Sequence, residues 1–156
     1  MPEYQLIDAK DKILGRFCSQ IAKLALLGHN IVIINAKDAI ISGTKNNIHE
    51  NFLKKLNIST ATNPRRGPFW PRRPDTFMRN VIKKMLPRKK LRGKEAYKRV
   101  HVYIGEIPER FKKRYQKLTS MEIDNADKKR LSYYNKFITL ENLCTRLGWN
   151  KINIEV

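Results

Sequence analysis

One run constrains the fold more than any other: IVIINA, residues 31–36. Ile31, Val32, Ile33 and Ile34 follow one another without a polar residue between them. A strand with one wet face alternates, so an unbroken β-branched run reads as a strand covered on both faces. Upstream, YQLIDA (4–9) reads as a short strand. Between the two, Leu14, Phe17, Cys18, Ile21, Leu24 and Ala25 recur at helical spacing, and Gly28 offers a stop. Strand, helix and buried strand in succession make a βαβ unit, which requires an α/β fold with an at least partly parallel sheet. The crossover is expected to be right-handed.

The rest of the chain extends this frame. AIISG (39–43) reads as a short extended piece. Thr44 can cap a helix whose inner face is Ile48, Phe52, Leu53 and Leu56. Asp75 opens a periodic helix with Phe77, Met78, Val81, Ile82, Met85 and Leu86 on one stripe, and Pro87 ends it. Residues 87–99 read as a basic loop running into a short helix, and VHVYIG (100–105) as a strand. Residues 106–135 read as mostly irregular. Thr139 caps a last helix with Leu140, Leu143, Cys144 and Leu147 inside and Gly148 beyond its end; INIEV follows as a short strand or tail. Nothing marks a domain boundary, so the expectation is one α/β domain over 1–156 with a basic insertion at about 63–99.

That insertion holds the unusual charge. The 156 residues carry 33 Lys and Arg against 14 Asp and Glu, a net +19, and 14 of those cations against two carboxylates fall within residues 63–101. A compact fold repels itself at that charge, and a polyanionic partner relieves it. A solvated face normally mixes signs, and this stretch scarcely does. Within it stands NPRRGPFWPRRPD (63–75), two arginine pairs around Phe69-Trp70 on a backbone stiffened by four prolines. Guanidinium forks suit phosphates. Phe69 and Trp70 either stack on unpaired bases of a folded RNA or plug the loop onto the domain. Arg79, Lys83 and Lys84 fall off the apolar stripe of their helix, which points them outward. The proposed contacts are Arg65, Arg66, Phe69, Trp70, Arg72, Arg73, Arg79, Lys83, Lys84, Arg88, Lys89, Lys90, Arg92, Lys94, Lys98 and Arg99.

Other functions find little support. The first strand-to-helix turn, AKDKILGR, lacks G-x-G-x-x-G, and SGTKNN (42–47) shares only a fragment of a phosphate loop. His29, His49 and His101 have no metal spacing among themselves or with Cys18 and Cys144. Both cysteines sit on apolar helical faces, which suits buried thiols in a reducing cytoplasm. Asp8 ends the first strand without a companion nucleophile or base, so a turn role is expected. No signal peptide, spanning segment or lipid anchor is visible, and no cofactor, metal, small-molecule substrate or membrane partner is expected.

The sequence also resembles the universal large-subunit ribosomal protein family number thirteen over nearly its whole length. The matching blocks are IDAKDKILGR (7–16), INAKDAIISG (34–43), RRPDTFMRNVIKKMLPRKKLRGKEAYKRVHVYIG (72–105) and FITLENLCTRLG (137–148). TNPRRGPF (62–69) resembles the archaeal and eukaryotic branch, and the lack of a long basic C-terminal helix brings the archaeal form nearer. Lys84 departs from the family, which usually has glycine before Met-Leu-Pro; there a lysine–phosphate contact stands in for close backbone approach. The resemblance implies a three-layer α/β/α fold with a four-stranded, mostly parallel sheet. It also implies a non-catalytic component of the large ribosomal subunit in the cytoplasm. Its implied partners are large-subunit rRNA and neighbouring ribosomal proteins, with a part in subunit assembly and translation.

Overall fold

The computed structural model describes residues 3–115, 117–123, 126–127 and 136–150. Strand β1 (Tyr4–Asp8) leads into helix α1 (Leu14–Leu26) and then into β2 (Asn30–Ile34). The two strands are parallel, with Leu6 opposite Val32 and Ile7 opposite Ile33. Ile31, Val32 and Ile33 are wholly buried, as the unbroken run requires. β2 stops sooner than IVIINA suggests because Asn35 takes the left-handed conformation (φ 55°) and turns the chain into a single 3-10 turn, Ala36–Asp38.

β4 (Val100–Val102) lies parallel to β2, and β5 (Leu118–Ser120) parallel to β1, giving the order β4-β2-β1-β5. This is the four-stranded parallel sheet that the family resemblance implied. β4 is shorter than the expected 100–105, and β5 lies in a stretch read as mostly irregular. All three β5 residues are exposed, so this edge strand has no hydrophobic pattern for a sequence to reveal. A second, two-stranded sheet pairs β3 (Ile40–Ser42) antiparallel with β6 (Phe137–Thr139). The INIEV tail and parts of 106–135 lie outside the described residues.

Side chains alternate between the two faces of the main sheet. On one face, Ile7, Ile31, Ile33 and Val100 pack into the main core with Phe17, Cys18 and Ile21 of α1. Phe77, Met78 and Ile82 of α3 (Pro74–Met85) join the same cluster. The other face is covered by aromatic groups: the Tyr115 ring meets Tyr4 at 4.9 Å and His101 at 5.9 Å. Tyr115 also shares a 2.8 Å hydroxyl contact with Tyr103, and one-turn α5 (Glu109–Lys112) brings Phe111 alongside. The third layer is therefore thin and largely aromatic.

Two helices differ in detail from expectation. Helix α2 (Lys45–Leu56) buries only Ile48; Phe52, Leu53 and Leu56 are half-buried, and Thr44 holds the cap position without a side-chain bond. In α3, Met85 is 42% exposed, whereas the stripe placed it inside. The chain leaves the helix at Leu86, before Pro87, and Leu86, placed on the same stripe, is buried as expected. In α6 (Leu140–Arg146) Thr139 caps as expected, accepting from the Asn142 amide at 3.4 Å. Cys18 and Cys144 are both buried free thiols, and burial pushes each up to about 12. Among the described residues, no helix is long and apolar enough to cross a membrane.

Candidate nucleic-acid interface

The basic segment begins with a built turn rather than a loose loop. Pro64–Arg66 forms one 3-10 turn, with Pro64 at its start and the Asn63 side chain accepting from the Arg65 amide at 3.1 Å. Gly67 follows at φ 78°, a conformation that disfavours side chains. A Cβ there would also meet the Phe69 ring at 2.9 Å, so the glycine lets that ring fold onto the backbone. Arg65 and Arg66 are exposed, and Phe69 is 80% exposed.

Phe69 and Trp70, adjacent in sequence, have different surroundings. The Trp70 indole is half-buried under the Lys84 ammonium of α3, 3.7 Å from its centroid, with Lys55 of α2 at 5.6 Å. Lys55 also lies 4.6 Å over Phe52, whose ring meets Phe77 of α3 at 5.1 Å. Trp70 thus packs against the domain, and Phe69 stands out from it.

The cations divide in the same way. Arg72 is exposed, with Nη1 3.3 Å from where a Cβ on Gly148 would stand. Arg73 is engaged within the chain: Nε and Nη2 donate to the Asp75 carboxylate at 3.2 and 3.0 Å, across the first turn of α3. Arg79 is half-buried, not outward; its guanidinium stacks 4.9 Å over Tyr97 of α4 (Leu91–Lys98), and its buried Nε has no hydrogen-bond partner among the described residues. Lys83 is half-buried over the same ring at 5.7 Å. Arg99 is half-buried and donates to the Ala25 carbonyl at 3.3 Å, fastening the end of α4 to α1. Lys84, Arg88, Lys89, Lys90, Arg92, Lys94 and Lys98 are exposed. The turn carrying Arg88 to Lys90 is tight: Gly93 sits against Pro87, whose carbonyl carbon would lie 2.7 Å from an added Cβ.

Lys55 and Tyr97 were not among the residues singled out from sequence. Both act through contacts between helices, and no local pattern marks them. Asp8 has the turn role expected of it, accepting from the Lys10 amide at 2.9 Å and the Asn35 side chain at 3.0 Å. The histidines also have structural neighbours: His29 meets Gln5 at 3.2 Å, and His49 meets the Arg146 carbonyl at 3.4 Å.

Comparison with known proteins gives the fold a family. A family model described as ribosomal protein L13 matches residues 3–109. A "large ribosomal subunit protein uL13" from Methanopyrus kandleri is 40% identical over 94% of this chain and 88% of its own length. The protein of that name from Methanocaldococcus jannaschii is 41% identical over 92% of this chain and 96% of its own. That from Haloarcula marismortui is 36% identical over 94% and 92%. These archaeal relatives agree with the branch that the sequence blocks suggested. The chain therefore belongs to the ribosomal protein L13 family.

Proposed function

We propose that the chain is a structural constituent of the large ribosomal subunit in the cytoplasm. In this reading it folds as one α/β domain whose segment 63–99 clamps folded rRNA, aids subunit assembly, and performs no catalysis. Its partners are rRNA and neighbouring ribosomal proteins, with no small-molecule substrate and no membrane. The observation that carries the reading is the state of the cations. Among the described residues, Arg73 is the one cation of this segment ion-paired to a carboxylate. Ten cations, Arg65, Arg66, Arg72, Lys84, Arg88, Lys89, Lys90, Arg92, Lys94 and Lys98, are exposed and have no such partner among the described residues. Arg65 and Arg66 sit on a capped turn and Lys84, Arg92, Lys94 and Lys98 on two helices, and fixing them there reduces the ordering cost of binding phosphates.

Phe69 is the base-stacking element of this reading and Trp70 its anchor. If about eight phosphates are neutralised, the log–log dependence of rRNA affinity on salt has a slope of roughly −6. Filter binding of the purified chain to large-subunit rRNA across a KCl series measures it. A nearly salt-independent interaction rejects the clamp.

A further inference from the structure

The Lys84 and Lys55 ammonium groups approach one indole ring from two different helices, at 3.7 and 5.6 Å from its centroid. Two like charges brought to one ring repel each other. The face of the indole offsets part of that repulsion, since its quadrupole attracts cations. Arg88 adds a third charge. Partial burial first, and then the charges of Lys55 and Arg88, hold the Lys84 ammonium below the ordinary lysine value. Among the described residues, no carboxylate is ion-paired to any of the three. The free protein therefore maintains a concentration of positive charge, ordered by an aromatic ring, that no ion pair among the described residues neutralises.

We propose that Lys55 and Lys84 form a discrete phosphate site organised by Trp70, in which α2 lends a contact to the basic segment. The occupant is a phosphodiester of the bound RNA, so the inference rests on the RNA-clamp reading above. Lys55 is a contact residue although it lies outside residues 63–99. Trp70 is a positioning residue: it holds the two ammonium groups and does not itself stack on a base.

The test compares Lys55→Gln with Lys54→Gln, its exposed neighbour on the same helix, which lies over no ring among the described residues. Affinity for large-subunit rRNA is measured across a KCl series beside the thermal midpoint. One lost phosphate contact reduces the slope by about 0.7 and weakens binding about five-fold at 0.1 M salt. K55Q shows both changes, K54Q neither, and the K55Q midpoint holds or rises slightly as repulsion is relieved. Trp70→Leu lowers affinity and Trp70→Phe restores most of it. If K55Q and K54Q have the same slope while Arg65→Ala with Arg66→Ala still weakens binding, the site is wrong and the clamp stands. If none of these variants changes binding, the clamp reading falls with it. Inorganic phosphate added at constant ionic strength identifies the source. Wild type that gives no saturable, Lys55-dependent binding of phosphate alone supports an RNA phosphodiester; saturable phosphate binding that is lost in K55Q makes free phosphate the occupant and overturns the assignment.

Discussion

Replacing Arg65 and Arg66 together by alanine separates binding from folding more cleanly than any other change in the segment. Both side chains are exposed, and neither bears on the turn that carries them. The bonds that hold the turn use the arginines' backbone amides, from the Arg65 amide to the Asn63 side chain and from the Arg66 amide to the Asn63 carbonyl, each 3.1 Å. Alanine keeps both. The thermal midpoint should therefore stay within a degree or two, since surface substitutions of this kind move stability by about 0.5 kcal/mol or less. Binding should behave differently. Each single-strand phosphate contact contributes about 0.7 to the salt exponent, which at 0.1 M salt is roughly five-fold in affinity relative to 1 M. Two contacts give about 25-fold, near 2 kcal/mol, together with a slope shallower by about 1.4. The assay is filter binding to large-subunit rRNA over a KCl series, with a thermal melt of each protein. An unchanged slope would refute the phosphate role of this pair. A midpoint fall of many degrees would show that the arginines hold the turn itself.

Other outcomes follow from the same geometry. Phe69→Ala should leave the melt unchanged and lower rRNA affinity by about 1–3 kcal/mol, the cost of one lost stacking platform, read by the same binding assay. Gly93→Ala should lower the thermal midpoint by several degrees: a Cβ collides with the Pro87 carbonyl, and overpacking of this kind costs about 1–3 kcal/mol. Cys18 and Cys144, both pushed up to about 12 by burial, should resist a thiol reagent at pH 8 until the protein is unfolded; fast labelling of the native protein would contradict the buried placement. His101 is held below its ordinary value, first by burial and then by Arg114 and Arg79. The folded state thus binds fewer protons there than the unfolded one. That contribution is fully present above the unfolded value near 6.5 and is lost as pH falls through the lower folded value. Melts of wild type and His101→Gln between pH 7.5 and 5 should show a steeper acid loss in wild type.

Much of the fold was legible because its signals are local. The Ile31–Ile33 run has one physical explanation, and the structure buries all three residues. The stripes of α1 and α3 repeat at helical spacing, and Gly28 stands at positive φ beyond the end of α1. The edge strand β5 was not legible, because three exposed residues held by main-chain bonds to β1 leave no pattern. Met85 illustrates another limit. Its spacing put it in the stripe beside Leu86, but at the helix end only Leu86 reaches the core. The candidate site divides along the same line. A cluster of cations is visible in composition, but which of them remain available is a tertiary matter. Arg73 turns to Asp75, Arg79 and Lys83 lie on Tyr97, and Arg99 reaches Ala25. The sequence left the roles of Phe69 and Trp70 open because Lys55 and Lys84, which cover Trp70, come from separate helices.

The central claim is that this chain is built into the large ribosomal subunit through its basic segment. Sedimentation of the endogenous protein through a high-salt sucrose gradient of cell lysate tests it most directly. An integral constituent remains with the large subunit after the salt wash. A protein that runs free at the top of the gradient would contradict the account, and the same clamp would then have to serve another RNA.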